Sequence, residues 1–428
     1  LARQSLLRHA DGLAAAEPRF MMLETIREFA VEQLEQRGDA ARIRRRHAEY
    51  AMRLAADASA SWGTPQRPEW AARIDQEQEN MRAALAWLLD TGAAEQALRL
   101  ALLLEPFWAM RANFSEGRRW IERALAPETR PALPPELEAQ AYAALSGNCF
   151  ATADLAAGVP YMERNLELQR ALGDPGQISK ALVLFGMAMR NLGDFPRATA
   201  LLEESLAVSR ASGDRHGEAQ ALNDLGLLVF FQDDLDQAIA YSEASLALFR
   251  ALGAGGGIAI ALNDLGEMVR FGGDYARAAA LYDESLALAR QQGNQRQVMF
   301  GLGNLASALL MLGDDGRAGP LFAESLALLR EAEMIHLTGF CLDGLGGVAA
   351  RRGAPARAAR LLAASSAMAV RSEQIRSPAD EQLYQTHLEL ARAQLAPAAW
   401  EAAWAEGSAL GVEAAIALAL EPLDADTA

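Results

Sequence analysis

Apolar and small residues recur along the central part of this chain with a constant step of 40 residues. Within one unit, Leu222, Leu225, Gly226 and Val229 stand at positions i, i+3, i+4 and i+7, which is the spacing of one face of a helix. The recurring columns are Leu182, Leu222, Leu262, Leu302 and Leu342; Gly186, Gly226, Gly266 and Gly346; and Ala198, Ala238, Ala278, Ala318 and Ala358. A register this constant predicts structural repeats.

Each unit contains two apolar runs separated by a short polar break. The break reads Gly-Asp at 193–194, 273–274 and 313–314. Glycine accepts the left-handed conformation that ends one helix, and aspartate caps the start of the next. Each unit is therefore predicted to be a helical hairpin. Because one hairpin cannot bury its apolar faces alone, neighbouring hairpins are expected to stack.

Composition supports an all-α chain and excludes several other classes. Hydrophobic residues make up 51% of the 428 positions, and the formal net charge of -16 opposes binding to nucleic acid or to an anionic membrane. The two cysteines, Cys149 and Cys341, form no paired motif, which is typical of a reducing compartment, so we expect a cytoplasmic protein. The most apolar stretch, 98–110, is broken by Glu105 and Pro106 and is too short to cross a bilayer.

The repeat columns resemble the tetratricopeptide repeat. Its pattern has a large residue, then Leu-Gly, then a small residue twelve positions later, and Leu222, Leu225, Gly226 and Ala238 match it. The units here are 40 residues long, longer than the usual length of about 34. The resemblance implies an all-α fold, a tetratricopeptide-repeat superhelical solenoid of helical hairpins.

The ends of the chain resemble a more specific family. PRFMMLETIREFAVEQL at 18–34, RRRHAEYAMRLA at 44–55, SEGRRWIERAL at 115–125 and AAWAEGSALGVEAAIALAL at 402–420 look like segments of bacterial STAND-type ATPase regulators, including LuxR-type proteins. In that family the end of a winged-helix domain leads into a tetratricopeptide sensor region. The resemblance implies a small N-terminal winged-helix remnant in this chain and an ATPase domain upstream of Leu1. We therefore do not expect Leu1 to be the natural start of the protein.

We predict four regions on this basis. They are the end of a winged-helix domain with connecting helices at 1–55, a helical linker with a degenerate repeat at 56–130, six repeats of 40 residues at 131–372, and C-terminal capping helices at 373–428.

No motif predicts catalysis by this chain. The phosphate-binding pattern GxxxxGK[ST] is absent, and GLGNLA at 301–306 lies in a repeat column inside a helix, not after the strand that a dinucleotide fingerprint needs. No two histidines have metal-ligand spacing. We expect no enzymatic activity, no cofactor and no metal. The basic run at 42–47 is short and flanked by acidic residues, so we do not expect direct nucleic-acid contact.

The tetratricopeptide resemblance implies that the first helix of each hairpin lines a concave groove. The lining mixes apolar side chains with Asn and Arg, which is typical of a binding site, because Asn can hold a peptide backbone and Arg a carboxylate. The alternative is that some Phe and Met side chains pack between helix layers. The predicted groove-binding residues are Lys180, Met187, Arg190, Asn223, Leu227, Phe230, Phe231, Asn263, Glu267, Arg270, Phe271, Phe300, Ser307 and Met311.

One hexapeptide, ALNDLG, occurs twice, at 221–226 and at 261–266. Its leucines and glycine are predicted to pack one helix against another. Asp224 is predicted to face solvent or the edge of a layer, whereas Asn223 and Asn263 are predicted to face a partner.

These features favour a non-catalytic sensor region of a multidomain ATP-dependent transcriptional regulator. A protein, peptide or small effector would bind the groove, the repeats would contact the ATPase domain of the same protein, and no membrane would be involved. The alternative is a freestanding tetratricopeptide scaffold that joins partner proteins. A phosphate-binding loop upstream of Leu1 would distinguish the first function from the second.

Overall fold

The helical periodicity of the sequence produces helices along most of the chain. A computed structural model describes residues 7–10, 19–22, 24–62, 64, 66–126, 133–332, 334, 337–372, 376 and 378–422. The described residues form twenty helices and one β-hairpin, which confirms the all-α prediction. The chain divides into two units, Leu1–Asp194 and Phe195–Ala428. This division falls inside the region predicted to hold the repeats.

The first unit contains the hairpin and eight helices among its described residues. Its elements are β1 (Leu7–Ala10), β2 (Arg19–Met22), α1 (Glu24–Gln36), α2 (Ala40–Ser61), α3 (Arg67–Asp90), α4 (Ala94–Met110), α5 (Phe114–Leu125), α6 (Pro135–Ala151), α7 (Leu155–Leu172) and α8 (Pro175–Asn191).

The second unit contains twelve helices among its described residues. They are α9 (Phe195–Ser212), α10 (Arg215–Phe230), α11 (Leu235–Leu252), α12 (Gly255–Phe271), α13 (Tyr275–Gln291), α14 (Gln295–Met311), α15 (Asp315–Glu331), α16 (Gly339–Arg351), α17 (Pro355–Ser372), α18 (Pro378–Arg392), α19 (Pro397–Ser408) and α20 (Val412–Leu420).

Hairpins form where the sequence places the Gly-Asp breaks. Gly273 and Gly313 have φ angles of 87° and 86°, the left-handed conformation that glycine tolerates. The next residue then caps the following helix: Asp274 accepts a hydrogen bond from the backbone N–H of Arg277, and Asp314 does the same for Arg317. The predicted turn chemistry is confirmed, and it pairs α12 with α13 and α14 with α15.

The glycine column lies where the two helices of one hairpin approach each other. A Cβ atom on Gly226 would lie 2.6 Å from Ser242 Oγ and 3.1 Å from the carbonyl oxygen of Ala238. On Gly266 it would lie 2.6 Å from the ring of Tyr282. The small residue is therefore required by close packing, as the repeat pattern predicts.

A second column of buried serines ties each hairpin together. Ser245, Ser285 and Ser325 each donate a 2.7 Å hydrogen bond to a backbone carbonyl on the preceding helix. These serines come from the recurring tetrapeptides EASL, DESL and AESL. The bond stabilises the hairpin, because a buried hydroxyl left without a partner would be costly.

The first unit has its own apolar core, built mainly from α2 to α6. An ion pair joins Arg82 on α3 to Glu116 on α5, with 2.6 Å between Nε and Oε1. Hydrogen bonding from Arg82 holds the pKa of the Glu116 carboxyl below its usual range, so the pair stays ionised at neutral pH.

The N-terminal β-hairpin precedes α1. Its strands are antiparallel, with Leu7 opposite Met22 and Ala10 opposite Arg19. Residues 1–6, 11–18 and 23 of the predicted winged-helix remnant lie outside the described residues, and the winged-helix assignment stays a prediction. None of the described helices combines the length and apolar character needed to cross a bilayer.

Candidate partner-binding face

The first helices of the hairpins in the second unit, α10, α12, α14 and α16, form one continuous surface, which we call the first-helix face. Neighbours contact each other directly, α10 with α12, α12 with α14, and α14 with α16. Eleven of the predicted groove-binding residues lie on these helices or at their C-terminal ends. Lys180, Met187 and Arg190 lie on α8 of the first unit, where Lys180 is exposed and the other two are half-buried.

The asparagines of the repeated hexapeptide contact other repeats, not open solvent. Asn223 Nδ2 donates to Asp264 Oδ2 at 2.7 Å, and Asn304 Nδ2 donates to Asn263 Oδ1 at 2.8 Å. Asn223 is buried and Asn263 is half-buried. Both bonds span 41 residues, so they form a polar ladder between successive first helices. Much of the hydrogen-bonding capacity assigned to a partner is therefore used within the solenoid.

The placement of Asp224 corrects the sequence prediction. Only 8% of this residue is exposed, so it does not face solvent.

Three further predicted groove residues are buried. Phe230 packs edge-on against Phe271, with ring centroids 5.3 Å apart, which is the packing alternative left open by the sequence. Ser307 is fully buried and donates to the carbonyl of Gly303 in its own helix. Arg270 is 3% exposed, because another part of the chain covers it.

The accessible part of the first-helix face lies on α10 and α12. Phe231 is 41% exposed and Ile260 is 48% exposed, while Leu227 and Glu267 are half-buried. Exposed apolar side chains beside polar ones are typical of a surface that binds a partner. On α14, Phe300 and Met311 are half-buried.

Helix α18 covers another part of the face. It packs on α16 and also contacts α12, two hairpins earlier in the chain. Asp380 Oδ1 lies 2.6 Å from Arg270 Nη2, so a residue predicted to hold a partner carboxylate holds a carboxylate of its own chain. Leu383 lies beside Arg270 and Met311 at this contact.

A second ion pair holds the residue just before α18. Arg376 Nε lies 3.1 Å from Asp343 Oδ2 on α16. The same guanidinium lies over the ring of Tyr384, 4.0 Å from its centroid. Burial raises the pKa of the Asp343 carboxyl to about 7, although Arg376 opposes this shift.

His387 occupies the middle of the α18 contact. It is 2% exposed, and its ring lies where a Cβ on Gly347 would be 2.6 Å away. Burial lowers the pKa of its imidazole to about 4, with Arg351 adding to the effect, so the ring is neutral at physiological pH. Gly347 is therefore required by the close approach of a helix from elsewhere in the chain.

The sequence predicts capping helices at 373–428, but not that one of them covers part of the first-helix face. The repeat columns nevertheless contain a sign that another element approaches this face. The column that carries Leu227, Glu267 and Ser307 reaches Gly347, and the column of Phe230 and Arg270 reaches a small alanine at 350. Such a loss of side-chain volume along a face predicts the close approach of another element.

Two cysteines and several buried polar groups remain outside this face. Cys341 is fully buried, and its Sγ lies 3.3 Å from Ser325 Oγ. Among the described residues no group of histidine, cysteine and carboxylate side chains has the arrangement of a metal site.

The sequence of the repeat region matches a known family. The family model described as "Tetratricopeptide repeat" matches residues 177–251 and 217–291. The helical hairpins of this part of the chain are therefore tetratricopeptide repeats, and the predicted solenoid fold is confirmed.

Three curated relatives of this chain carry the names of regulators. Proteins of Mycobacterium bovis and Mycobacterium tuberculosis that are provisionally named HTH-type transcriptional regulators are 33% identical to this chain over 177 residues. The alignment covers 39% of this chain and 20% of each relative. The chain thus spans about a fifth of the length of the curated relatives that it matches.

Solved structures of similar helical architecture include three regulatory proteins. One is a Rap protein complexed with competence and sporulation factor (14% identity, TM-score 0.49, 81% of this chain and 98% of that chain). Another is the apo quorum sensor NprR from B. thuringiensis (12%, 0.47, 80% and 98%). The third is a STAND protein with a tetratricopeptide repeat sensor from Pyrococcus horikoshii (13%, 0.48, 95% and 56%). Similarity at this level assigns no ligand to the chain.

Proposed function

We propose that this chain is the non-catalytic sensor region of a multidomain, ATP-dependent transcriptional regulator of the STAND type. In this proposal a protein or peptide binds the first-helix face of the second unit, and binding changes the activity of an ATPase domain elsewhere in the protein. Because a ligand shifts an equilibrium only by its differential affinity, the partner must bind the active and resting states unequally.

The observation that carries the proposal is the composition of the accessible part of the first-helix face. Phe231 and Ile260 expose apolar surface on tetratricopeptide helices, and Glu267 lies on the same face. The regulator names of the relatives, whose length greatly exceeds the aligned segment, support a multidomain setting.

Catalysis by this chain is not part of the proposal. The sequence has no phosphate-binding loop, so ATP binding is assigned to a separate domain.

The first test is the complete reading frame and its nucleotide binding. We expect a phosphate-binding loop before Leu1, and we expect the full-length protein to bind a fluorescent ATP analogue that residues 1–428 alone do not bind. A reading frame without such a loop would refute the ATP-dependent assignment and favour a freestanding scaffold.

The second test concerns the face itself. In the full-length protein, Phe231→Asp with Ile260→Asp is expected to abolish recovery of the partner from extracts of the native host, because charge replaces exposed apolar contact area. The matched control is Leu252→Asp, which alters an apolar side chain of similar exposure, 46%, on the second helix α11. Equal partner recovery by the folded double variant and by the control would contradict the assignment of this face.

A further inference from the structure

The contact between α18 and the first-helix face has the chemistry of a bound peptide. From Asp380, the residues Leu383, Tyr384 and His387 follow at i+3, i+4 and i+7, so they share one face of the helix. These three side chains are buried, with exposures of 6%, 5% and 2%. An amphipathic helix laid on a groove through anchors at this spacing is a recurring mode of peptide recognition.

Two ion pairs fix the position of α18, and the face provides the positive partner in one and the negative partner in the other. The face supplies the cation Arg270 to Asp380, and it supplies the anion Asp343 to Arg376. Reversing the direction of the helix would place like charges opposite each other, so the pairs define both register and polarity.

The opposite face of α18 is solvent-exposed. Gln385 and Glu389 are exposed, and the side chain of Gln385 bonds only within the helix, to Glu381. On its inner side the helix contacts α12, α16 and α17, and Tyr384 shares an apolar cluster with residues of α16, α17 and α19. Release of α18 would open this cluster, but the larger core cluster of the second unit contains no residue of α18 and would stay closed.

We propose that α18 is a resident occupant of the partner-binding groove, and that the partner is a helical peptide of the same pattern. This rests on the proposed function. The expected partner segment carries a basic residue, an acidic residue four positions later, then an aliphatic and an aromatic residue at three and four positions further on. Such a segment displaces α18 and takes over Arg270 and Asp343.

Because α18 belongs to the same chain as the groove, it lowers the apparent affinity of the groove for an external peptide. A tethered segment acts at a high effective concentration, so a competing peptide binds only to the fraction of molecules in which α18 is released. Weakening α18 without altering the face must therefore strengthen binding of an external peptide.

The test uses a fluorescein-labelled synthetic peptide with the sequence of residues 373–394 and the whole 428-residue chain, with fluorescence anisotropy as the readout. Arg376→Ala with Asp380→Ala removes both ion pairs from the resident side. We expect this variant to bind the peptide at least about tenfold more tightly than the unaltered chain. Adding Arg270→Ala with Asp343→Ala, which removes the same pairs from the face, is expected to abolish the gain.

The matched control changes the exposed side of the same helix. Gln385→Ala with Glu389→Ala is expected to leave peptide affinity unchanged. Equal affinity of the resident-side variant and this control, or no binding by either, would overturn the proposal and make α18 a fixed part of the solenoid.

Hydrogen exchange of the unaltered chain provides a measurement that does not depend on any variant. An exchangeable α18 is expected to lose amide protection faster than α16, on which it packs. Equal protection of the two helices would overturn the proposal even if the variants failed to fold.

The failure of this inference can be distinguished from the failure of the proposed function. If the native partner binds with equal affinity whether or not α18 is weakened, α18 is not its competitor, and the sensor function still stands. If the labelled peptide behaves as expected but no partner depends on Phe231 and Ile260, the resident helix stands and the sensor function fails.

Discussion

The distance between packed helices determines which residue types fit at individual repeat positions. The glycine column shows this most directly. At Gly226 a methyl group would meet a hydroxyl and a backbone carbonyl, and at Gly346 it would lie 3.0 Å from Leu362 Cγ. The asparagine and aspartate beside this column serve contacts between neighbouring repeats. Helix packing therefore explains most of the identity between the two copies of ALNDLG.

We predict that Gly226→Ala destabilises the second unit by roughly 1–3 kcal/mol, because the added Cβ overpacks a contact that includes backbone. The measurement is the free energy of unfolding in urea. Gly301→Ala is the matched control: its Cβ would meet nothing closer than 3.5 Å, and alanine favours a helix, so this change should be neutral or stabilising by up to about 1 kcal/mol. Similar losses from both substitutions would refute the packing role of the column.

At the scale of elements, α18 is the helix whose position the repeat pattern did not predict. Its contacts use two buried titratable groups, Asp343 and His387, whose pKa values move in opposite directions on burial. The charged groups around them are Arg376 beside the carboxyl and Arg351 near the imidazole, with Asp380 on the docked helix.

We predict that the two groups give opposite pH dependences to stability. The folded-state pKa of His387, about 4, lies below its unfolded value of 6.5, so the unfolded chain takes up the proton first and the contribution of this group falls as pH drops from 6.5 towards 4. The folded-state pKa of Asp343, about 7, lies above its unfolded value of 3.8, so its contribution rises as pH drops through that range.

Two variants separate these effects in urea titrations at pH 7 and pH 5. Relative to the unaltered chain, His387→Gln should gain stability at the lower pH, because only the carboxyl effect remains. Asp343→Asn should lose stability at the lower pH, because only the imidazole effect remains. The same sign of change in both variants would show that one of the two groups is not buried as described.

At the scale of the whole molecule, the two cysteines report on the two units separately. Cys149 belongs to the first unit and Cys341 to the second, and both are buried. Burial raises the pKa of the Cys341 thiol to about 12 and raises that of Cys149 above its ordinary value. Neither thiol offers a reactive thiolate in the native chain.

We predict that neither cysteine of the native protein reacts with N-ethylmaleimide within minutes, and that each becomes reactive as its unit unfolds in urea. Peptide mass spectrometry assigns the labelling. The Gly226→Ala variant should lower the urea midpoint for Cys341 and leave that for Cys149 unchanged, because repeat contacts are made between neighbours. A common shift of both midpoints would show that the units unfold together.

The sequence by itself determined the helices, the hairpin breaks and the packing columns, because these depend on residues close together in the chain or repeated at a constant step. It also selected Phe231, which remains exposed on the first-helix face. The tertiary structure decided which polar residues remain available: Asn223 bonds to Asp264 in the next repeat, and Arg270 bonds to Asp380, 110 residues later. No local pattern encodes these two partners, since the first contact forms only when α10 stacks on α12 and the second only when α18 lies against the face.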